Sequence, residues 1–305
     1  MAGALHHHLS WLEAGVIGAM QGVSELFPIS SLGHSVLLPA VIGGSWARDL
    51  NVSSPESPYL AFIVGLHVAT AIALVVYFWR DWIRVIRGLV SSIVQRKVST
   101  SEQWLAWLLV LATIPVGLVG LVFEHWLRTH LAKPVPTAIF LILNGLVLIG
   151  AEQLRRADPS LDSEYTDERI TGPESDARLA KLPWARGVLI GSAQILALAP
   201  GLSRSGVTMV AGMLRGLSRE DAARFSFLLA TPVILAAGAL KLGDLTGPLG
   251  AGIRGQVIFG SVLSGIGAYL SVRFLTRYLA GRSLRPFGAY CIAAGAASLV
   301  WFVVR

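Results

Sequence analysis

The chain has 305 residues, of which 54% are hydrophobic and only 14% charged, with a formal charge of +7 and a mean hydropathy of +0.64. That balance excludes an ordinary soluble domain and points to a membrane protein. A single cysteine, Cys291, excludes a disulfide scaffold or a cysteine metal site. The basic residues fall between apolar runs without a lysine-rich nucleic-acid motif, so no nucleic-acid partner is expected.

The N-terminus lacks a basic start, and its first apolar run carries Glu13, Gln21 and Glu25. It does not read as a cleavable signal peptide. His6, His7 and His8 are expected to be a solvated terminus. Trp11–Ile42 follows as two apolar helical runs around a polar turn, Pro28-Ile29-Ser30-Ser31-Leu32-Gly33. Each run is short for a bilayer crossing of about 20 residues, so together they predict a helical hairpin that enters the membrane and returns. Residues 43–58 form a polar connection, and Tyr59–Trp79 a full span. A basic loop is expected to follow, with Arg80, Arg84, Arg87, Arg96 and Lys97. Trp104–Phe123 is the next span and Glu124–Lys133 a short exit. Pro136–Gly150 with its flanks makes a third span, near the lower length limit. Residues 152–181 hold eight acids and five basic residues and predict a mobile loop.

Trp184–Leu217 repeats the first hairpin. A shift of 173 brings Gly18 onto Gly191, Gln21 onto Gln194, Gly33 onto Gly206 and Ser35 onto Thr208. Ser31 falls opposite Arg204, and Glu25 opposite Leu198, so the chemistry is divided between two copies. After a charged connection at 217–224 come the spans Phe225–Leu240, Gln256–Leu275 and Phe287–Val304, with Arg277, Arg282 and Arg285 in the last loop.

Each half is therefore a reentrant hairpin plus three transmembrane helices. Three is odd, so the halves insert in opposite senses. The prediction is an all-α integral membrane protein built as an inverted-topology repeat, with hairpins meeting near the midplane. The 305 residues form one membrane domain: a first repeat at 11–151, a polar cytoplasmic loop at 152–183 and a second repeat at 184–305. Of the Lys and Arg residues, 17 fall on one side and 6 on the other, with two more inside the second hairpin. The richer side is expected to be cytoplasmic, which puts both termini and the mouth of the first hairpin outside.

The second helix of each hairpin points its positive end inward. Ser30, Ser31, Ser203 and Ser205 can cap such ends, and free N–H groups there suit phosphate oxygens. Gly33, Gly201 and Gly206 permit close backbone approach. Arg204 adds a fork-shaped cation. Together these read as an oxyanion site. Glu25, with Gln21 one turn before it, can hold a divalent cation, act as a base or pair with Arg204. Oxygen ligands favour magnesium or calcium over zinc. His34, at a helix start, is a candidate nucleophile, acid or base. Ser31 is the rival nucleophile. His67 and Asn144, both within spans, are expected to make helix–helix hydrogen bonds. Gly18-x-x-x-Gly22 and Gly212-x-x-x-Gly216 are expected to be close-packing surfaces.

QGVSELFPISSLGH (Gln21–His34) and PGLSRSGVT (Pro200–Thr208) resemble the bacterial undecaprenyl-pyrophosphate phosphatase family, also called the bacitracin-resistance family. FSFLLATP (Phe225–Pro232) and YFWR (Tyr77–Arg80) extend the likeness over nearly the whole chain. Gln21 takes the amide form of a position where the family allows Glu or Gln. Arg224 stands where some members carry an acid, and the acidic loop is longer than in compact members.

The resemblance implies a plasma-membrane enzyme that removes the terminal phosphate of undecaprenyl pyrophosphate, supplying the lipid carrier for peptidoglycan and other envelope polymers. It implies a link to bacitracin resistance, dependence on a divalent cation, a homodimer and a site open to the outer side. It places Gln21, Glu25, Ser31, His34, Ser203, Arg204, Ser205 and Thr208 in that site. Phosphoryl transfer would then run from a prenyl pyrophosphate lipid to His34, Ser31 or water. Broken helices in inverted repeats also build transporters. A secondary transporter or flippase of phosphorylated prenyl lipid is the alternative.

Overall fold

A computed structural model describes residues 9–52, 58–157, 172–241, 243, 247 and 252–304. His6, His7 and His8, and the middle of the acidic segment at 158–171, lie outside the described residues. The described chain is helical: α1 Trp11–Ser24, α2 Ser31–Ile42, α3 Gly44–Asp49, α4 Pro58–Tyr77, α5 Trp79–Gln95, α6 Ser101–Leu131 and α7 Pro134–Ala157. Then come α8 Gly172–Leu179, α9 Trp184–Ser192 with a 3₁₀ turn at Ala193–Leu198, α10 Arg204–Met213, α11 Arg219–Leu240, α12 Arg254–Tyr278 and α13 Arg285–Val304. Six helices among the described residues are long and apolar enough to cross a bilayer: α4, α6, α7, α11, α12 and α13. A helix satisfies its own backbone polar groups, which lipid cannot do.

The shorter apolar helices build the interior. With 14 and 12 residues, α1 and α2 rise about 21 and 18 Å, less than the roughly 30 Å of a hydrocarbon core. Ser10 and Glu13 start α1 with a reciprocal capping box, which holds two otherwise unpaired N–H groups. The helices begin at Trp11 and Ser31 in the first copy and at Trp184 and Arg204 in the second, the register set by the 173-residue shift. Packing follows a matching pattern. α1 lies on α12 and α9 on α6; α4 also packs on α12 and α11 on α6; α4 meets α11, and α7 meets α13.

Small residues set these distances. A Cβ on Gly18 would lie 2.5 Å from the Gly260 carbonyl oxygen, and one on Gly22 would lie 2.3 Å from that of Ser264. The repeat-related Gly191 has the same constraint, with Ala112 O at 2.4 Å. The expected packing role therefore holds for Gly18 and Gly22. It does not hold for Gly216, which has open space around it and a φ of +87°. Gly216 serves the turn after α10.

Several expected loops are helices. The basic stretch after the first span forms α5, whose Val85, Gly88 and Ser92 are buried against α6. Its exposed Ile83, Ile86, Val90 and Ile93 make an apolar stripe beside the arginines, as an interfacial helix has. Arg128, Arg219, Arg277 and Arg285 likewise lie within helices. The third span runs on past Gly150 because its charges find partners. Buried Glu152 accepts from Arg219 Nε at 2.8 Å and Nη2 at 2.6 Å, and from the Leu284 amide at 3.0 Å.

The described end of the acidic segment is not a loop either. α8 is docked by its own polar residues. Asp176 accepts from Arg224 at 2.6 Å and Arg84 at 3.3 Å. Asp221 accepts from Arg178 Nε at 2.6 Å and from the Ser175 hydroxyl at 2.5 Å. Polarity alone suggested solvent exposure; paired charges reverse that inference.

Candidate active site

The two turns, 173 residues apart in sequence, touch. Ser30 is the N-cap of α2, with a φ of +70°, a conformation that is uncommon outside glycine. Its hydroxyl accepts from the Gly33 amide and from the Gly201 amide, each at 3.2 Å. One side chain thus caps its own helix and holds the opposite turn. Ser203, the repeat-related residue, caps α10 by accepting from the Gly206 amide at 3.2 Å. Asn144 of α7 completes the joint. Its Oδ1 accepts from the Ser203 amide at 3.0 Å, and its Nδ2 donates to the Pro28 carbonyl at 2.9 Å. The helix–helix contact expected of Asn144 is present, its Nδ2 also reaching Cys291 Sγ of α13 at 3.3 Å, and the same side chain joins both turns.

Glu25 is the centre of the side-chain cluster, and its two oxygens are used differently. Arg204 Nη2 donates to Oε1. Oε2 accepts from Gln21 Nε2 at 2.8 Å and from the Ser31 hydroxyl at 2.5 Å. His67 Nε2, from α4, stands 3.3 Å from the same Oε2. Glu25 and Gln21 are buried, and their spacing of four on one helix face makes the pair possible. Two polar atoms remain without a protein partner: Gln21 Oε1 and Arg204 Nη1. Buried polar atoms of this kind call for an explanation, and a polar ligand supplies one.

His34 lies at the margin of the cluster. Its Nδ1 is 2.8 Å from the Ser30 carbonyl oxygen, which can only accept, so Nδ1 carries the proton. Nε2 then presents a lone pair, and the Tyr290 hydroxyl donates to it at 2.7 Å. The two rings stack with an interplanar angle of 7°.

The other oxyanion candidates are tied into the scaffold. Ser205 Oγ is 3.0 Å from Ser203 Oγ and donates to the Phe27 carbonyl at 3.4 Å. Thr208 donates back to the Arg204 carbonyl at 2.7 Å. A Cβ on Gly206 would stand 3.3 Å from Pro28 Cβ, so this glycine lets the second turn seat against the first. The structure thus gathers Gln21, Glu25, Ser31 and Arg204 into one cluster with His34 at its edge, above a base made by Ser30, Ser203, Ser205 and Gly206.

Sequence reasoning missed two partners. His67 makes the polar contact between helices that was expected, but its partner is Glu25 of the site itself. Its signal was a titratable residue in the middle of a span, which is costly without a purpose. Tyr290 gives no signal of its own, since a tyrosine in a terminal helix is ordinary.

A carboxylate, a guanidinium and an imidazole drawn together inside an apolar helical bundle define a multi-pass membrane protein with a buried polar site. The chain belongs to the bacitracin resistance protein BacA family, whose model matches residues 14–297. It is 61% identical to an undecaprenyl-diphosphatase of Mycolicibacterium paratuberculosis over 98% of this chain and 99% of the relative. It is 60% identical to an undecaprenyl-diphosphatase of Mycobacterium avium over 97% and 99%. An undecaprenyl-diphosphatase 2 of Chromobacterium violaceum is 40% identical over 96% and 99%.

Proposed function

We propose that the protein is an undecaprenyl-diphosphate phosphatase that releases inorganic phosphate and leaves the lipid monophosphate. The full-length likeness to the undecaprenyl-diphosphatases supports the reaction. The single observation that carries the site is the joining of Glu25, at the end of α1, and Arg204, at the start of α10. The matched packing of α1 on α12 and α9 on α6 supports an inverted repeat with two reentrant hairpins. The excess of Lys and Arg on one side supports a plasma-membrane orientation with both termini outside and the site open outward. A homodimer is part of the same proposal, by resemblance alone.

Arg204 turns its unpartnered Nη1 to the phosphate oxygens, as a guanidinium fork can. The first-turn N–H groups of α2 and α10 that the Ser30 and Ser203 caps do not take have no intrahelical acceptor and add donors for developing negative charge. Ser30, Ser203, Ser205, Gly206 and Thr208 hold those helix ends in place for the phosphate. His34 Nε2 attacks the terminal phosphorus once the Tyr290 hydroxyl yields its place. An N–P bond forms, the anhydride P–O bond breaks, and the lipid monophosphate leaves with the bonding pair. Water then attacks the phosphohistidine, loses a proton and frees inorganic phosphate, restoring His34. A second reading has the 2.5 Å Ser31–Glu25 bond behind it: Ser31 attacks, with Glu25 taking its proton. We favour His34 because Glu25 is already engaged by Arg204.

The residues fit a divalent cation, magnesium or calcium. Glu25 gives a carboxylate, and Gln21 an amide oxygen that is buried without a partner. Magnesium characteristically takes one or two carboxylates and fills its shell with phosphate oxygens and water. When bound, the cation offsets charge on the departing phosphate.

The test is phosphate release from undecaprenyl diphosphate by purified protein in detergent, where there are no leaflets to move lipid between. Turnover is expected. A folded protein that binds the lipid and releases no phosphate would return the reading to a transporter.

A further inference from the structure

We propose that α5 is a binding surface for the anionic phospholipid headgroups of the leaflet on which it lies. None of its side chains belongs to the Glu25 cluster. α4 ends at Tyr77 and α5 begins at Trp79, so α5 starts where a span leaves the hydrocarbon. At about 100° per residue its side chains fall into three sectors. Val85, Gly88 and Ser92 share the first and are buried against α6. The fit is close: a Cβ on Gly88 would stand 2.7 Å from the Glu102 carbonyl oxygen. Trp79, Ile83, Ile86, Val90 and Ile93 share the second, and each is exposed. Arg80, Arg84 and Arg87 share the third, and Arg96 and Lys97 follow at the C-terminal end.

These sectors fix the roll of the helix. The first is taken by α6. A continuous stripe of large apolar side chains is unfavourable in water, and the acyl chains beside α4 accept it. With protein on one side and acyl chains on the next, the arginine sector is left at the level of the headgroups. Arg84 is already engaged, donating to Asp81 at 2.6 Å and to Asp176 at 3.3 Å. Arg80, Arg87, Arg96 and Lys97 are exposed and have no carboxylate partner among the described residues. The Arg80 guanidinium lies 5.1 Å from the centre of the Trp79 ring, and indole rings settle at the membrane–water boundary. Cations on an amphipathic helix next to a span are the form that recognises anionic lipid. An acidic protein would match the charges but leave the apolar stripe uncovered; a phospholipid meets both.

The test uses the full chain in detergent with defined lipids. Native mass spectrometry counts the phosphatidylglycerol and phosphatidylcholine retained from an equimolar mixture. Phosphatidylglycerol is expected to be retained at least about fivefold over phosphatidylcholine, and less so as salt rises. Combining Arg80→Gln, Arg87→Gln, Arg96→Gln and Lys97→Gln should bring the ratio within about twofold of unity. A control combining Lys181→Gln, Arg273→Gln, Arg277→Gln and Arg282→Gln removes the same charge from loops expected on the same side, and should keep the preference. Equal retention of the two lipids by the unaltered chain would overturn the proposal, whether or not the variants fold. A preference that survives loss of the α5 cations, or that the control loses equally, would overturn it too. Spin labels at Val90→Cys and Arg87→Cys, each in a Cys291→Ala chain in bilayers containing phosphatidylglycerol, read the roll. Val90 is expected to meet dissolved oxygen and Arg87 an aqueous nickel chelate; nickel contact at both would put the stripe in water and sink the proposal.

Discussion

Arg204 and Glu25, separated by 179 positions in the chain, form an ion pair that ties the start of one internal helix to the end of another. Neither half of the molecule contains both charges. A guanidinium with one nitrogen on a carboxylate and the other unpartnered is positioned as much for an incoming anion as for the scaffold.

Arg204→Lys keeps a positive charge but loses the planar fork. A loss of at least about tenfold in kcat/KM is expected, equivalent to about 1.4 kcal/mol of transition-state binding. Arg204→Ala should lose more, because it also leaves Glu25 a buried charge without its guanidinium. Steady-state phosphate release measures both, and near-normal rates in both would remove Arg204 from the chemistry.

Glu25→Gln places amides at both positions of the Gln21–Glu25 pair. Activity is expected to fall to a trace in folded protein. Gln21→Glu should retain activity, because a second carboxylate strengthens the oxygen donor set. Magnesium titration of phosphate release separates two roles for Glu25: rescue of Glu25→Gln at high magnesium indicates a ligand, and no rescue indicates a base. Full activity at ordinary magnesium would sink both.

Asn144→Leu should destabilise the protein and lower activity together. It leaves the Ser203 amide unpaired and the Pro28 carbonyl with only the weak Cys291 thiol at 3.8 Å, and an orphaned buried group costs about 1–3 kcal/mol. A lower Tm in detergent with reduced phosphate release is expected. An unchanged Tm would show that the two turns hold together without α7.

Orientation is tested by single cysteines. Cys291 is buried and is replaced by alanine first. A cysteine at Ser163 is expected to be shielded from an impermeant thiol reagent in intact cells, and one at Ser54 to be labelled. The opposite pattern would invert the topology.

Much of this arrangement was legible in the chain, for identifiable reasons. The shift of 173 paired Gly33 with Gly206, and Ser30 and Ser203 read as caps; these residues are the caps and capped amides of the two turns. Apolar length found the spans. Charge misled at 80–95 and, among the described residues of the acidic segment, at 152–157 and 172–179, because local polarity cannot tell a solvated loop from helices whose charges meet partners elsewhere. Asp176 needs Arg224, 48 positions away, and neither residue announces the other. His67 and Tyr290 were hidden for the same reason: their partners, Glu25 and His34, lie on other helices, and a single sequence carries no measure of distance.

The most direct test of the central claim follows the terminal phosphate itself. Undecaprenyl diphosphate labelled at that phosphorus is mixed with purified protein in detergent, quenched rapidly and separated into enzyme, lipid and phosphate. The wild-type chain is expected to pass label through His34 and release it as inorganic phosphate, one for each lipid monophosphate formed. His34→Ala should neither trap nor release it. Label on Ser31 with none on His34 would transfer the attack to the hydroxyl, and label that stays on the lipid with folded wild-type protein would contradict hydrolysis at this site.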